Sequence, residues 1–152
     1  MKIINGYFDD LEFWNSCYFS KPVIKNTDLI IPVRNIGLYE EHPLNNTGQL
    51  TILPEARLIF SGVQRSQRII NEYLGKPNSG KGFKPSYKVT DGSFTKNDKL
   101  VSQFFFEGIL DEPLSYVTWE IDSMLFFLEV SENILAILNP DESTHPQTKI
   151  VA

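Results

Sequence analysis

Cysteine occurs once, at position 17, and histidine twice, at 42 and 145. One cysteine excludes an intramolecular disulfide and any cysteine-rich metal site. No apolar run approaches the roughly 18 residues that a membrane-spanning helix needs. The first residues, MKIINGYFDDLEFWN, carry one lysine and then acids. They lack the apolar stretch and small-residue cleavage site of a secretory signal, so a cytoplasmic location is expected. Cations are the minority charge, 14 against 19 acids, for a net charge of −5 and a pI near 5.0. That balance disfavours nucleic acid as a partner, because phosphate binding needs clustered cations. Mild acidity is common in cytoplasmic proteins, and it would also steer a basic partner.

What is present is strand-like. A chain of 152 residues, 41% hydrophobic, suits one β-rich domain over 1–152. Its centre is residues 101–138, where VSQFFFEGIL, SYVTWEID, SMLFFLEV and SENILAIL follow one another. In SYVTWEID, Val117, Trp119 and Ile121 alternate with Tyr116, Thr118 and Glu120, the period of a half-buried strand. Asp111-Glu112-Pro113 and Asp122-Ser123 are placed as turns, so a four-run antiparallel meander is expected.

Earlier in the chain, the dense aromatics of residues 1–19 favour strands. Residues 28–39 read as a strand that Pro32 confines to an edge or a bulge. Further strands are expected at 49–53 and 57–63, around Pro54. Residues 64–74 fit either a helix stopped by Gly75 and Pro77 or a long strand, and strand is preferred because it continues the run before it. Residues 75–99 carry six lysines against two aspartates and read as a mobile Lys-rich loop around a hairpin, with arms at 87–90 and 93–95. Residues 101–152 reverse that balance, with nine acids and one lysine. Residues 139–152 read as a polar tail. The expected fold is mainly β: a single-domain antiparallel β-sandwich or partly open barrel, with at most one or two short helices.

Chemistry is sparse. Gly75 to Gly82, GKPNSGKG, approaches a phosphate-binding loop, but Gly82 stands where a hydroxyl residue should follow the lysine, and Phe83-Lys84-Pro85 is a poor helix start. Glu40-Glu41-His42 is the one place where histidine adjoins carboxylates, too few ligands for a metal. Cys17 lacks a nucleophile signature and reads as a small buried side chain. Glu107, Glu120 and Glu129 could in principle pair as catalytic carboxylates, but Glu120 lies on the more polar face of its strand, so a solvated cross-strand row is the better reading. Asn45-Asn46-Thr47 matches a glycosylation pattern that lacks the secretory context to be used. No cofactor and no catalytic set is expected.

The aromatic-acidic start, Tyr7-Phe8-Asp9-Asp10-Leu11-Glu12-Phe13-Trp14, and the pair Phe106-Glu107-Gly108 and Val117-Thr118-Trp119-Glu120-Ile121 carry a resemblance. In this style the chain resembles immunity proteins of bacterial polymorphic-toxin and contact-dependent growth inhibition systems. The resemblance implies a non-enzymatic protein that binds and neutralises a cognate toxin domain, often a nuclease, through acidic side chains. The residues expected to bind are Asp9, Asp10, Glu12, Glu40 and Glu41, with Trp14 as an aromatic anchor and Asp111 and Glu112 in second place. The competing expectation is a small β-barrel enzyme or ligand-binding protein with an interior pocket.

Overall fold

The structure, a computed structural model, describes residues 1–13 and 17–138. Nine strands form one mixed sheet: β1 Lys2–Asn5, β2 Leu11–Glu12, β3 Tyr18–Phe19, β4 Val23–Lys25, β5 Asp28–Leu38, β6 Thr51–Glu72, β7 Tyr87–Thr90, β8 Ser102–Leu110 and β9 Ser115–Val130. One helix, α1 Glu132–Leu138, follows. The order β1-β9-β8-β3-β5-β6-β7, with β9 also pairing β6, closes the sheet partly into a ring. β3 and β8 pair in parallel, and every other pair is antiparallel. The expected partly open, mainly β architecture is therefore present.

Aromatic rings pack the interior. Phe60 and Phe106 stack at 5.7 Å, Phe106 stacks on Trp119 at 5.6 Å, and Phe19 meets Trp119 edge-on at 5.9 Å. Each buried ring contributes about 1.5–3 kcal/mol through area removed from water, and well-set pairs add roughly 0.5–1.5 kcal/mol. Trp119 is fully buried, as its phase with Val117 and Ile121 predicts.

Several local expectations are corrected. Asp122-Ser123 is not a turn, because β9 runs through it. In β9, Ser115, Val117, Trp119, Ile121 and Ser123 are buried, and the buried set then shifts to Phe126, Leu128 and Val130. The strand turns its other face inward without ending. Opposite the shift, Gly62 has φ +67°, and the register slips between Val63 and Arg65. This is a bulged barrel corner, the kind of bend that lets a long strand coil round a core. Pro54 likewise does not interrupt β6, whose buried face changes from Leu53 to Ala56 and Leu58 across it.

SENILAIL is a helix rather than a fourth strand. Ser131 Oγ accepts the Ile134 amide at 3.2 Å, a cap that starts α1. The arm expected at 93–95 is not a strand, and β7 pairs with β6 instead. Residues 64–72 are strand, as preferred. Pro32 lies neither at an edge nor in a bulge: β5 pairs with β6 at Pro32↔Arg57. On its other side Pro32 falls between the end of β3 and the start of β4, where its carbonyl accepts the Ser20 amide at 2.9 Å. The gap needs no donor from residue 32, so the ring is tolerated. Residues 139–152 lie outside the described region. No described helix is long and apolar enough to cross a membrane.

Candidate functional site

The acidic residues singled out in the sequence fall into two groups. Asp9, Asp10, Glu12, Glu40 and Glu41 come together at one end of the sheet. Tyr7 adopts φ 63°, and a single 3-10 turn, Phe8–Asp10, follows it. The turn is nailed down by Phe8, whose ring lies 4.9 Å from Phe104, 5.1 Å from Phe126 and 5.9 Å from Phe106. With Phe8 turned into the core, Asp9 is left exposed and Asp10 half-buried. β2 then pairs with β5 through Leu11↔Leu38 and Glu12↔Gly37, and the Tyr39 amide donates to the Asp10 carbonyl at 2.9 Å. Gly37 permits the approach, since a Cβ there would lie 3.1 Å from the Glu12 Cβ.

Beyond β5 the chain turns through Glu40 and Glu41, both exposed. Asn45, buried inside this loop, donates to the carbonyls of Leu38, Tyr39 and Gln49 at 2.9–3.2 Å. Its Oδ1 accepts from the Thr47 amide at 3.0 Å and from the Thr47 hydroxyl at 2.7 Å. The glycosylation-like Asn45-Asn46-Thr47 is thus the staple of the acidic loop, and its acceptor nitrogen is engaged internally.

His42, beside these acids, is buried to 2% exposure. Its Nδ1 accepts the Leu44 amide at 3.1 Å, and its ring lies 5.8 Å from Tyr7. Nε2 is buried without a hydrogen-bond partner, as is Glu12 Oε2. Burial lowers the His42 pKa, and the nearby Asp10 charge opposes that shift. Tyr39 shifts upward, through desolvation first and then through the charge and hydrogen bond of Glu12. Among the described residues, none of the five acids lies within ion-pair distance of a cation.

Asp111 and Glu112 are elsewhere. Arg34 donates to Asp111 at 2.6 Å, and the Ser20 hydroxyl donates to it at 3.2 Å. Asp111 is therefore neutralised within the fold, while Glu112 is exposed beside it. Trp14 lies outside the described residues.

The other chemical candidates are not assembled. Glu129 pairs with Arg57, Glu120 pairs with Arg65 at 3.3 Å, and Glu107 hydrogen-bonds Tyr116. Each carboxylate has its own partner. Gly82-Phe83 leads into a β-bridge with Tyr73 rather than a helix, so the glycine-lysine loop lacks the helix N-terminus that a phosphate site requires. Cys17 is fully buried, and burial pushes its thiol up to about 12. Among the described residues, no group of three or more His, Cys, Asp or Glu could hold a metal ion.

No protein-family model, curated protein or solved structure significantly matches the chain.

Sequence reading missed one wall of this end. A groove of about 620 Å³ runs beside the acidic turn, between residues 5–10, the start of β8 and the β9 corner. Tyr7, Phe105, Met124 and Leu125 line it and are all exposed. The signal for Phe105 was in the sequence: in Phe104-Phe105-Phe106 a strand buries the outer two rings and must turn the middle one outward.

Proposed function

We propose that this protein is a non-enzymatic inhibitor of the immunity-protein kind, acting in the cytoplasm by binding a basic surface of a cognate protein toxin, with a nuclease-type domain as the expected class. The reading is carried by the five acids at the β2–β5 end, of which Asp9, Glu40 and Glu41 are exposed and none has a cation within ion-pair distance among the described residues. Unpaired carboxylates on an ordered scaffold raise the association rate with a cationic surface and penalise acidic competitors. A nuclease domain, which must handle phosphate, offers such a surface. Asp111 contributes less in this reading, because Arg34 already satisfies it.

The test is affinity capture of tagged full-length protein from its native cells, washed at low and high salt and analysed by mass spectrometry. The expected result is one stoichiometric basic partner, released by salt. Glu40→Lys with Glu41→Lys should weaken its capture about tenfold or more, as loss of complementary charge predicts, whereas Glu112→Lys should do little. Recovery of the protein alone, or a partner indifferent to the Glu40 and Glu41 reversals, overturns the reading.

A further inference from the structure

β6 ends at Glu72, and the chain loops out and returns beside it at Phe83. Tyr73 and Phe83 form a β-bridge, the Leu74 amide donates to the Gly82 carbonyl at 3.0 Å, and the Lys84 amide donates to the Glu72 carbonyl at 2.9 Å. These links hold residues 75–82 as a loop on an antiparallel stem. Within the loop the Ser79 amide donates to the Lys76 carbonyl at 3.1 Å, the bond that closes a β-turn. Lys81 then folds back across Gly75. A Cβ at Gly75 would lie 2.7 Å from Lys81 Cδ and 3.3 Å from Lys81 Cγ. Glycine at position 75 is what lets the Lys81 stem cross the loop.

A hollow of about 380 Å³ lies against this loop, a size that suits a small organic ligand. Its apolar side is built from Tyr73 and Phe83, whose rings lie 5.0 Å apart, with Tyr116 beside them. Phe83 is 48% exposed, so its ring is open to a ligand. Lys76 and Lys81 line the hollow, and among the described residues neither lies within ion-pair distance of a carboxylate. No described acid lines it. The acids on the flanking strands are engaged: Glu72 holds Lys84 at 3.5 Å and accepts the Tyr87 hydroxyl at 2.8 Å, and Glu107 hydrogen-bonds Tyr116. Residues 75–90 carry four lysines and no acid, so the surroundings are cationic although the whole chain is not. Without a following helix the loop is no cradle for a polyphosphate. Its lysines act instead as point charges beside an aromatic platform.

We propose that this hollow binds a small planar aromatic anion, its ring set against Phe83 and Tyr73 and its carboxylate or phosphate between Lys76 and Lys81. Asn78 and Ser79, on the same rim, add neutral hydrogen-bonding groups for the anion. An uncharged ring would leave the lysines unused, and a bare anion would gain nothing from the aromatic platform. The acidic turn adjoins the start of β6, where Leu38 pairs with Thr51, whereas the hollow adjoins its end at Glu72. The site is therefore separate from the surface proposed for a basic partner and does not depend on it.

The test titrates the full chain with adenosine monophosphate and with naphthoate, one probe for each anionic group, and follows the amides of Gly75 to Phe83 by NMR. Adenosine supplies a ring without the anion, and inorganic phosphate the anion without a ring. At least one of the two aromatic anions should shift these amides and bind about tenfold or more tighter than either control, as a charge-assisted contact added to stacking predicts. A preference for the nucleotide assigns the anion as phosphate, and a preference for naphthoate assigns it as carboxylate. Lys76→Gln with Lys81→Gln, both at exposed positions, should weaken binding about tenfold or more, whereas Lys96→Gln, outside the hollow, should leave it unchanged. Phe83→Leu keeps an apolar side chain but removes the ring, and should cost about fivefold or more. Gly75→Ala should weaken binding while the amide spectrum of the strands stays in place, because its methyl group displaces only the Lys81 stem. The proposal is overturned if neither aromatic anion shifts the loop amides, or if phosphate alone binds as tightly as the nucleotide. It is equally overturned if the double lysine variant binds as the native chain does.

Discussion

Arg68 lies over Trp119, its guanidinium carbon 4.9 Å from the ring centroid, and reaches Asp91 at 2.7 Å. The same aspartate accepts the Ser66 hydroxyl at 2.8 Å, and Ser66 Oγ in turn accepts the indole N–H at 3.0 Å. Four side chains from β6, β9 and the turn after β7 are thus linked, with Asp91 and Arg68 only 4% and 12% exposed and Arg68 Nε buried without a hydrogen-bond partner. Removing one partner strands the other charge. Arg68→Ala or Asp91→Ala should cost about 3–5 kcal/mol, read as a lower urea midpoint. A loss below about 1 kcal/mol, the value of an exposed pair, would show that water reaches the site.

Gly62 should tolerate no side chain. Its φ is +67°, and a Cβ would meet Met124 Sδ at 2.7 Å. Gly62→Ala combines backbone strain with a clash at the barrel corner and should destabilise by about 1–3 kcal/mol. Trimming Met124 to Ala in the same chain should recover only part of the steric cost, because the Met124 Cβ that remains would lie 2.9 Å from the new Cβ. Full recovery in the double variant would mean that the positive φ carries no cost.

His42 should make stability depend on pH. Burial lowers its folded pKa, so the fold favours the neutral ring. The unfolded chain takes up the proton near pH 6.5, and it then binds more protons than the folded state. Stability is therefore fully present above about pH 6.5 and declines as pH falls through it. His42→Gln should flatten that decline when denaturant midpoints are compared at about pH 7.5 and about pH 5.5. Equal slopes in the two proteins would exclude His42 as the source.

Cys17 should be inert in the folded protein. Burial pushes its thiol up to about 12, so thiolate is scarce at neutral pH and reagents lack access. Labelling with a maleimide at about pH 7.5 should proceed only as fast as the protein opens. It should become immediate in denaturant. Rapid labelling of the native protein would place Cys17 at a mobile surface.

The β-rich class was legible because alternation is local. Val117, Trp119 and Ile121 announce their buried face in five residues, and Phe104 and Phe106 do the same. Ends of strands were less legible. Asp122-Ser123 and Pro54 carry turn chemistry, yet both lie inside long strands, because a barrel corner uses similar residues to change which face is buried. SENILAIL is apolar enough for either state, and the Ser131 cap decided it. The candidate site was half legible. Asp9, Asp10, Glu12, Glu40 and Glu41 could be ranked ahead of Asp111, but nothing in the sequence showed that Arg34 would neutralise Asp111.

Composition and periodicity by themselves determined that this chain builds strands around an aromatic core, without disulfides and with an acidic balance, since these depend on residue type and near neighbours. Only the tertiary structure decided which acids stand free. Arg34 meets Asp111 across 77 positions and Arg57 meets Glu129 across 72, whereas the five at the β2–β5 end meet no cation among the described residues. Pairing across such separations is set by how the whole sheet closes, and no local pattern encodes it.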